Sequence, residues 1–195
     1  MPAAPRLILA STSVYRRQLL ERLKLPFEVA NPGIAEPHYP GEAPPARSAR
    51  LAAEKAQAVA LLHPQALVIG SDQVAVCRGQ VLDKPGSEAG CWRHLRLLSG
   101  SVAEFFTAVA LVGPEPGTLL AFTDLTRVHF RLLSEAEIRR YVSAEKPYDC
   151  AGGFRAESLG ISLFERIESE DPSGLVGLPL IALSRALRAA GFELP

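Results

Sequence analysis

Two kinds of apolar spacing alternate along the chain. Short apolar-rich runs, "RLILAS" at 6–11, "FEVANP" at 27–32 and "ALVIGSDQVAV" at 66–76, have the length of strands, the first and last of them buried. After the first, "SVYRRQLLERL" places Leu19, Leu20 and Leu23 on one helical face. The alanine-rich segment from Ala46 to Leu62, with Leu51, Val59 and Leu62, predicts a second helix that His63-Pro64 ends. Prolines and glycines from Pro32 to Pro45 predict a loop without regular structure.

Downstream, Arg78-Gly79 predicts a hairpin turn into "VLDKP", and Ser87 with Glu88 caps a helix through Leu98 that Gly100 terminates. "VAEFFTAVALVG" and "TLLAFTDLTRVHF" flank "PEPG" and read as an antiparallel pair with a tight connection. Ser134 and Glu137 form a capping-box pattern opening "SEAEIRRYV". "KPYDCAGGFRAESLGI" reads as a glycine-rich loop, "ISLFERI" as a strand, and "LIALSRALRAAG" as a closing helix stopped by Gly191. The whole predicts one α/β domain over 1–195: a mixed β-sheet flanked by helices, with two lobes and a cleft.

Composition narrows the function. Lys plus Arg and Asp plus Glu number 21 each, so the bulk positive field expected of a binder of duplex nucleic acid is missing and an anionic partner must be met locally. Cys77, Cys91 and Cys150 are odd in number and form no C-x-x-C, which argues for a reducing, cytoplasmic setting. The early apolar run "LILA" is too short for a signal peptide, and no run reaches the ~20 residues of a membrane helix, so no membrane partner is expected.

The chemistry starts at the centre of the third strand. Asp72 interrupts an apolar run, and a carboxylate there either sits at a bulge meeting solvent or faces a cation. "ASTSVYRR" leads a strand into a helix through three hydroxyl residues followed by Arg16 and Arg17. Either those backbone N–H groups bind a phosphate, or Ser11, Thr12 and Ser13 only cap the helix while both arginines lie in solvent. Lys55 read alone is an exposed helix lysine, Lys84 a turn lysine held by Pro85, and Glu36 a surface charge. Glu157 lies in the glycine-rich loop, where backbone can approach a ligand closely. Phosphate-loop, dinucleotide, nucleophile-elbow and H-E-x-x-H motifs are missing, and His38, His63, His94 and His129 have no ligand spacing. Carboxylates, lysines and arginines remain, a set suited to a magnesium-like ion and a polyphosphate.

Taken together, "LILASTSVYRRQLL", "AEKA", "IGSDQV" followed by "DKP", and "CAGGFRAESLGISLFERIESEDPSGLVGLPL" resemble the Maf family of nucleoside triphosphate pyrophosphatases over nearly the entire chain. "SDQV" and the C-terminal block look like the branch that hydrolyses 7-methylguanosine triphosphate; branches acting on UTP and dTTP carry threonine at Gln73 and glutamine at Glu157. The resemblance implies an elongated α/β fold with a deep cleft, commonly dimeric, and cleavage between the α and β phosphates with a divalent metal, magnesium or manganese. It implies that Asp72 is the proton acceptor, that Tyr15, Gln73 and Glu157 select the substrate, and that Ser11, Arg16, Glu36, Lys55 and Lys84 surround phosphates and metal. The metal falls to Glu36 and Asp72, and charge on the phosphate oxygens to Arg16, Lys55 and Lys84. The chain departs from the branch at Tyr15 (usually tryptophan), Val14 (proline), Asp83 (glycine) and Ala35 (an acidic residue).

A free aspartate, with pKa ~3.9, is a weak base at neutral pH, so Asp72 acts by holding the ion, by orienting the water, or both. Methylation at position 7 makes guanine cationic, which favours the face of Tyr15, and the Glu157 carboxylate accepts from adjacent N–H donors of the pairing edge. The rival expectations are a non-catalytic nucleotide-binding regulator of cell division, a pyrophosphatase for dTTP or UTP, and a phosphatase releasing single phosphates.

Overall fold

A computed structural model of the chain describes residues 6–114 and 119–195. Its strands are β1 (Arg6–Ala10), β2 (Glu28–Ala30), β3 (Ala66–Cys77), β4 (Gln80–Val81), β5 (Val102–Val112), β6 (Leu119–Phe130) and β7 (Phe164–Glu168). Its helices are α1 (Val14–Glu21), α2 (Pro44–Leu62), α3 (Glu88–Leu98), α4 (Glu135–Glu145) and α5 (Leu180–Ala189). The sheet runs β2-β1-β3-β5-β6-β7, with β4 pairing to β3. β1 is parallel to β2 and β3, whereas β3–β4 and β6–β7 are antiparallel, so the sheet is mixed as expected. Among the described residues no helix is long and apolar enough to cross a membrane.

Contacts divide the chain into two compact units. The first comprises the chain up to Gln73, Thr107–Asp124 and Asp171–Pro195; the second comprises Val74–Phe106 and Leu125–Glu170.

In the first unit the side chains of β1 and β3 alternate between two apolar layers, as the two-residue period of a strand requires. Leu7, Leu9, Leu67 and Ile69 pack with Leu19 and Leu20 of α1 and with Leu183 and Leu187 of α5. Ile8, Ala10, Ala66 and Val68 pack in the other layer with Ala52, Ala56 and Val59 of α2. Continued along β3, the even-numbered positions reach Gly70 and Asp72 on the α2 side, and the odd-numbered ones reach Ser71 and Gln73 on the α1/α5 side.

Gly70 sets how closely α2 lies on the sheet. A Cβ built there would stand 2.1 Å from the Ala52 carbonyl oxygen and 2.7 Å from Ala56 N. Gly70→Ala is therefore expected to lower stability by roughly 1–3 kcal/mol or more, because backbone on both sides cannot yield as a flexible side chain can. Urea unfolding measures it, and a midpoint equal to that of the parent chain would contradict this packing.

The second unit is built around four phenylalanines, Phe105, Phe130, Phe154 and Phe164, stacked edge to face with ring centroids 5.0–5.5 Å apart. The hairpin between β3 and β4 turns at Arg78 (φ 50°) and Gly79 (φ 75°), the expected site. Ser134 and Glu137 close their capping box at the start of α4.

Two boundaries differ from expectation. Pro44 and Pro45 belong to the first turn of α2 rather than to the preceding loop, since a missing N–H costs nothing where no intrahelical bond exists. The expected glycine-rich loop contains 3-10 turns at Ala151–Gly153 and Leu159–Leu163, so β7 begins at Phe164 rather than Ile161. From Glu115 onward, the connection expected at Pro114 to Gly117 lies outside the described residues.

Candidate active site

Asp72 faces a cation. Its Oδ1 accepts from Lys55 Nζ at 2.6 Å, and both residues are only 6% exposed, which removes the reading of Asp72 as a solvent-facing bulge and of Lys55 as a surface lysine. Lys55 lies on the buried face of α2, in line with Leu51, Ala52, Ala56 and Val59, and Gly70 brings that face close enough to β3 for the ammonium to reach the carboxylate. The same ammonium meets Glu36 Oε1 at 2.7 Å. Glu36 comes from the proline-rich segment before α2 and is about half exposed, so one lysine holds two carboxylates of unequal burial.

Arg16 lies within electrostatic reach of both carboxylates. Ser13 caps α1 by accepting from Arg16 N at 3.3 Å, and Ser11 Oγ accepts from Ser13 N at 3.1 Å, so a hydroxyl does cap the helix, but of the two arginines only Arg17 is exposed, as that alternative required of both. The Arg16 side chain is half-buried and donates from Nε to the Gly177 carbonyl at 3.0 Å. Desolvation lowers the pKa of its guanidinium, and the negative charges of Asp72 and Glu36 oppose that. Burial pushes the Asp72 carboxyl above the ordinary carboxylate value; Lys55 and Arg16 pull it down, and Glu36 pushes it up.

The amide nitrogen of Gln73 is held within the chain. Nε2 donates to Thr107 Oγ1 at 2.8 Å, to the Leu175 carbonyl at 3.0 Å and to the Gly174 carbonyl at 3.1 Å. Tyr15 is half-buried on the first turn of α1. Ser11, Tyr15, Arg16, Glu36, Lys55, Asp72 and Gln73 all belong to the first unit. Lys84 and Glu157 belong to the second, and both are exposed. Lys84 precedes Pro85, whose carbonyl lies against Gly90 at the start of α3, and Gly86 N donates to the Tyr148 carbonyl at 2.9 Å. The segment bearing Glu157 is tied to α4 by Ser158 Oγ and Leu159 N, both donating to Glu145 Oε2 at 3.0 and 3.1 Å.

Among the described residues no three His, Cys, Asp or Glu side chains cluster as metal ligands. Magnesium seldom needs such a cage, being held commonly by one or two carboxylates together with waters and substrate phosphates. Glu36 and Asp72, each with an oxygen within 2.7 Å of the same nitrogen, provide hard donors in that number, so the donor set fits.

One element of this region escaped the sequence. The turn Gly174–Val176 and its C-terminal neighbour Gly177 are bonded to both strands: Thr107 Oγ1 donates to the Gly174 carbonyl at 2.9 Å, and Ser71 Oγ to the Gly177 carbonyl at 2.9 Å. Asp171 and Ser173 anchor the next helix, accepting from Ile181 N at 2.6 Å and Leu180 N at 2.7 Å. The available signal was Asp171-Pro-Ser-Gly, an Asp and a Ser two residues apart ahead of an amphipathic run.

Comparison with known proteins agrees with this architecture. The chain is 58% identical to the 7-methyl-GTP pyrophosphatase of Xanthomonas oryzae pv. oryzae, covering 98% of this chain and 100% of that one. It is 53% identical to that of Aromatoleum aromaticum (97% and 98%) and 51% identical to that of Cupriavidus pinatubonensis (96% and 94%). The solved structure of the Staphylococcus aureus Ham1 protein shares the fold, with a TM-score of 0.52 at 13% identity over 94% of this chain and 98% of that one. Residues 6–190 match the Maf-like protein family, and the chain belongs to it.

Proposed function

We propose that the protein hydrolyses 7-methylguanosine triphosphate between the α and β phosphates, giving the monophosphate and pyrophosphate, with magnesium or manganese. The observation that carries this reading is the Lys55 ammonium joining Asp72 and Glu36, with Arg16 beside them, in a chain 51–58% identical to proteins named for that reaction.

Burial makes Asp72 a stronger base than a free aspartate, and Lys55 keeps it ionised enough to orient or deprotonate an attacking water. Arg16 and Lys55 offset charge that shifts onto phosphate oxygens during in-line displacement, and the reading gives Lys84 the same task. A divalent ion held by Glu36 and Asp72 would supply further neutralisation of the polyphosphate. Glu157 would accept from the N–H donors on the pairing edge of guanine, and Tyr15 would face the cationic ring.

Product analysis on a substrate panel tests it. 7-Methylguanosine triphosphate is expected to turn over ahead of GTP, dTTP and UTP, to yield pyrophosphate, and to stop with chelator. Orthophosphate as first product would make the protein a phosphatase, no product a binder, and UTP ranked first a pyrimidine enzyme.

A further inference from the structure

We propose that Thr107 is a positioning residue for Arg16, acting through the turn at 174–177. The inference rests on the reading above, in which Arg16 meets the phosphates. Thr107 is fully buried on β5, and its hydroxyl sits at a junction: it accepts from Gln73 Nε2 and donates to the Gly174 carbonyl. Gly174 O also accepts from Gly177 N at 2.9 Å and from Gln73 Nε2. The near end of the turn is thus fixed to β3 and β5 together. At its far end the Gly177 carbonyl accepts from Ser71 Oγ and from Arg16 Nε.

The turn has little latitude. Gly174 leaves no room for a Cβ, which would stand 2.2 Å from Asp124 Oδ2. Gly177 has φ +118°, where side chains are strained, and a Cβ there would meet Arg16 Nε at 3.4 Å. With Nε held by Gly177, a phosphate would be met by the terminal Nη groups, so the bond to Gly177 sets where that end of the guanidinium lies. The Thr107 hydroxyl therefore fixes the turn, and the turn fixes the guanidinium, without Thr107 touching substrate.

Steady-state kinetics on 7-methylguanosine triphosphate, with melting temperature as the folding control, provide the test. Thr107→Val is expected to lower kcat by about tenfold or more, the scale of a small misplacement of a catalytic group. Thr107→Ser, which keeps the hydroxyl, is expected to restore it. In an Arg16→Lys background, Thr107→Val is expected to add nothing, because the group it positions is gone. By NMR, the Arg16 Nε–H is expected to exchange slowly in the parent protein and at least about tenfold faster in Thr107→Val, as a lost hydrogen bond would allow. Additive losses in the double variant, or unchanged exchange, would overturn the inference alone. Full turnover of Arg16→Lys would remove the phosphate role of Arg16 and the inference with it.

Discussion

Asp72→Asn is expected to lose turnover by at least about 100-fold while keeping the fold, because a neutral amide neither accepts the proton nor holds charge against a cation. The two halves of this expectation have one cause. Desolvation is the largest influence on Asp72 and raises its pKa, so the ionised form is the one the surroundings disfavour. A carboxyl whose folded pKa is raised contributes stability that is complete below its unfolded value and is lost as pH rises through the folded one. At neutral pH the native carboxylate is therefore a cost that Asn removes. Lys55 would still keep Glu36 at 2.7 Å and an amide oxygen at position 72. The melting temperature at pH 7 should be equal or higher, and the parent enzyme should show an acid limb in kcat/KM above the ordinary carboxylate value of 3.8. Near-normal turnover of Asp72→Asn would remove the mechanism; lost turnover with a large fall in melting temperature would make Asp72 a structural ion.

Much of this was legible in the chain because period and position are local. The alternation of β1 and β3, the caps at Ser13 and Ser134, and the turn at Arg78-Gly79 follow from residues a few places apart. Lys55 was legible in part. Counted as a helix, 51, 52, 55, 56 and 59 share one face, and a lysine among Leu51, Ala52, Ala56 and Val59 must find a partner once that face is buried. What the helix alone does not reveal is Gly70, whose missing side chain allows the approach. Beyond the Asp171-Pro-Ser-Gly signal ahead of it, the bonding of the 174–177 turn was not legible, since its bonds join residues 67 to 161 places apart and involve carbonyls, which every residue possesses. Gln73 shows the same limit: its place on β3 is local, whereas the partners of its amide nitrogen, Thr107 and two distant carbonyls, are not.

Lys55→Met is expected to cost both turnover and stability, and in a pH-dependent way that Asp72→Asn does not share. Methionine fills the volume of the stem but removes the charge that two carboxylates face. Breaking a buried pair by deleting one partner costs roughly 3 kcal/mol or more, because the remaining ion loses its nearest counter-charge where water does not replace it. Lys55 is the leading influence holding the Asp72 pKa down, so without it desolvation and the Glu36 charge go further unopposed and the pKa rises again. The added stability of the protonated form is then lost over a pH range displaced upward. The variant should thus lie close to the parent in acid and fall furthest below it at pH 7, with the acid limb of its residual activity moved to higher pH. Urea unfolding at several pH values measures the first, and kcat/KM profiles the second. Stability curves that ran parallel from pH 4 to pH 8 would mean that Asp72 does not depend on the Lys55 ammonium for its charge.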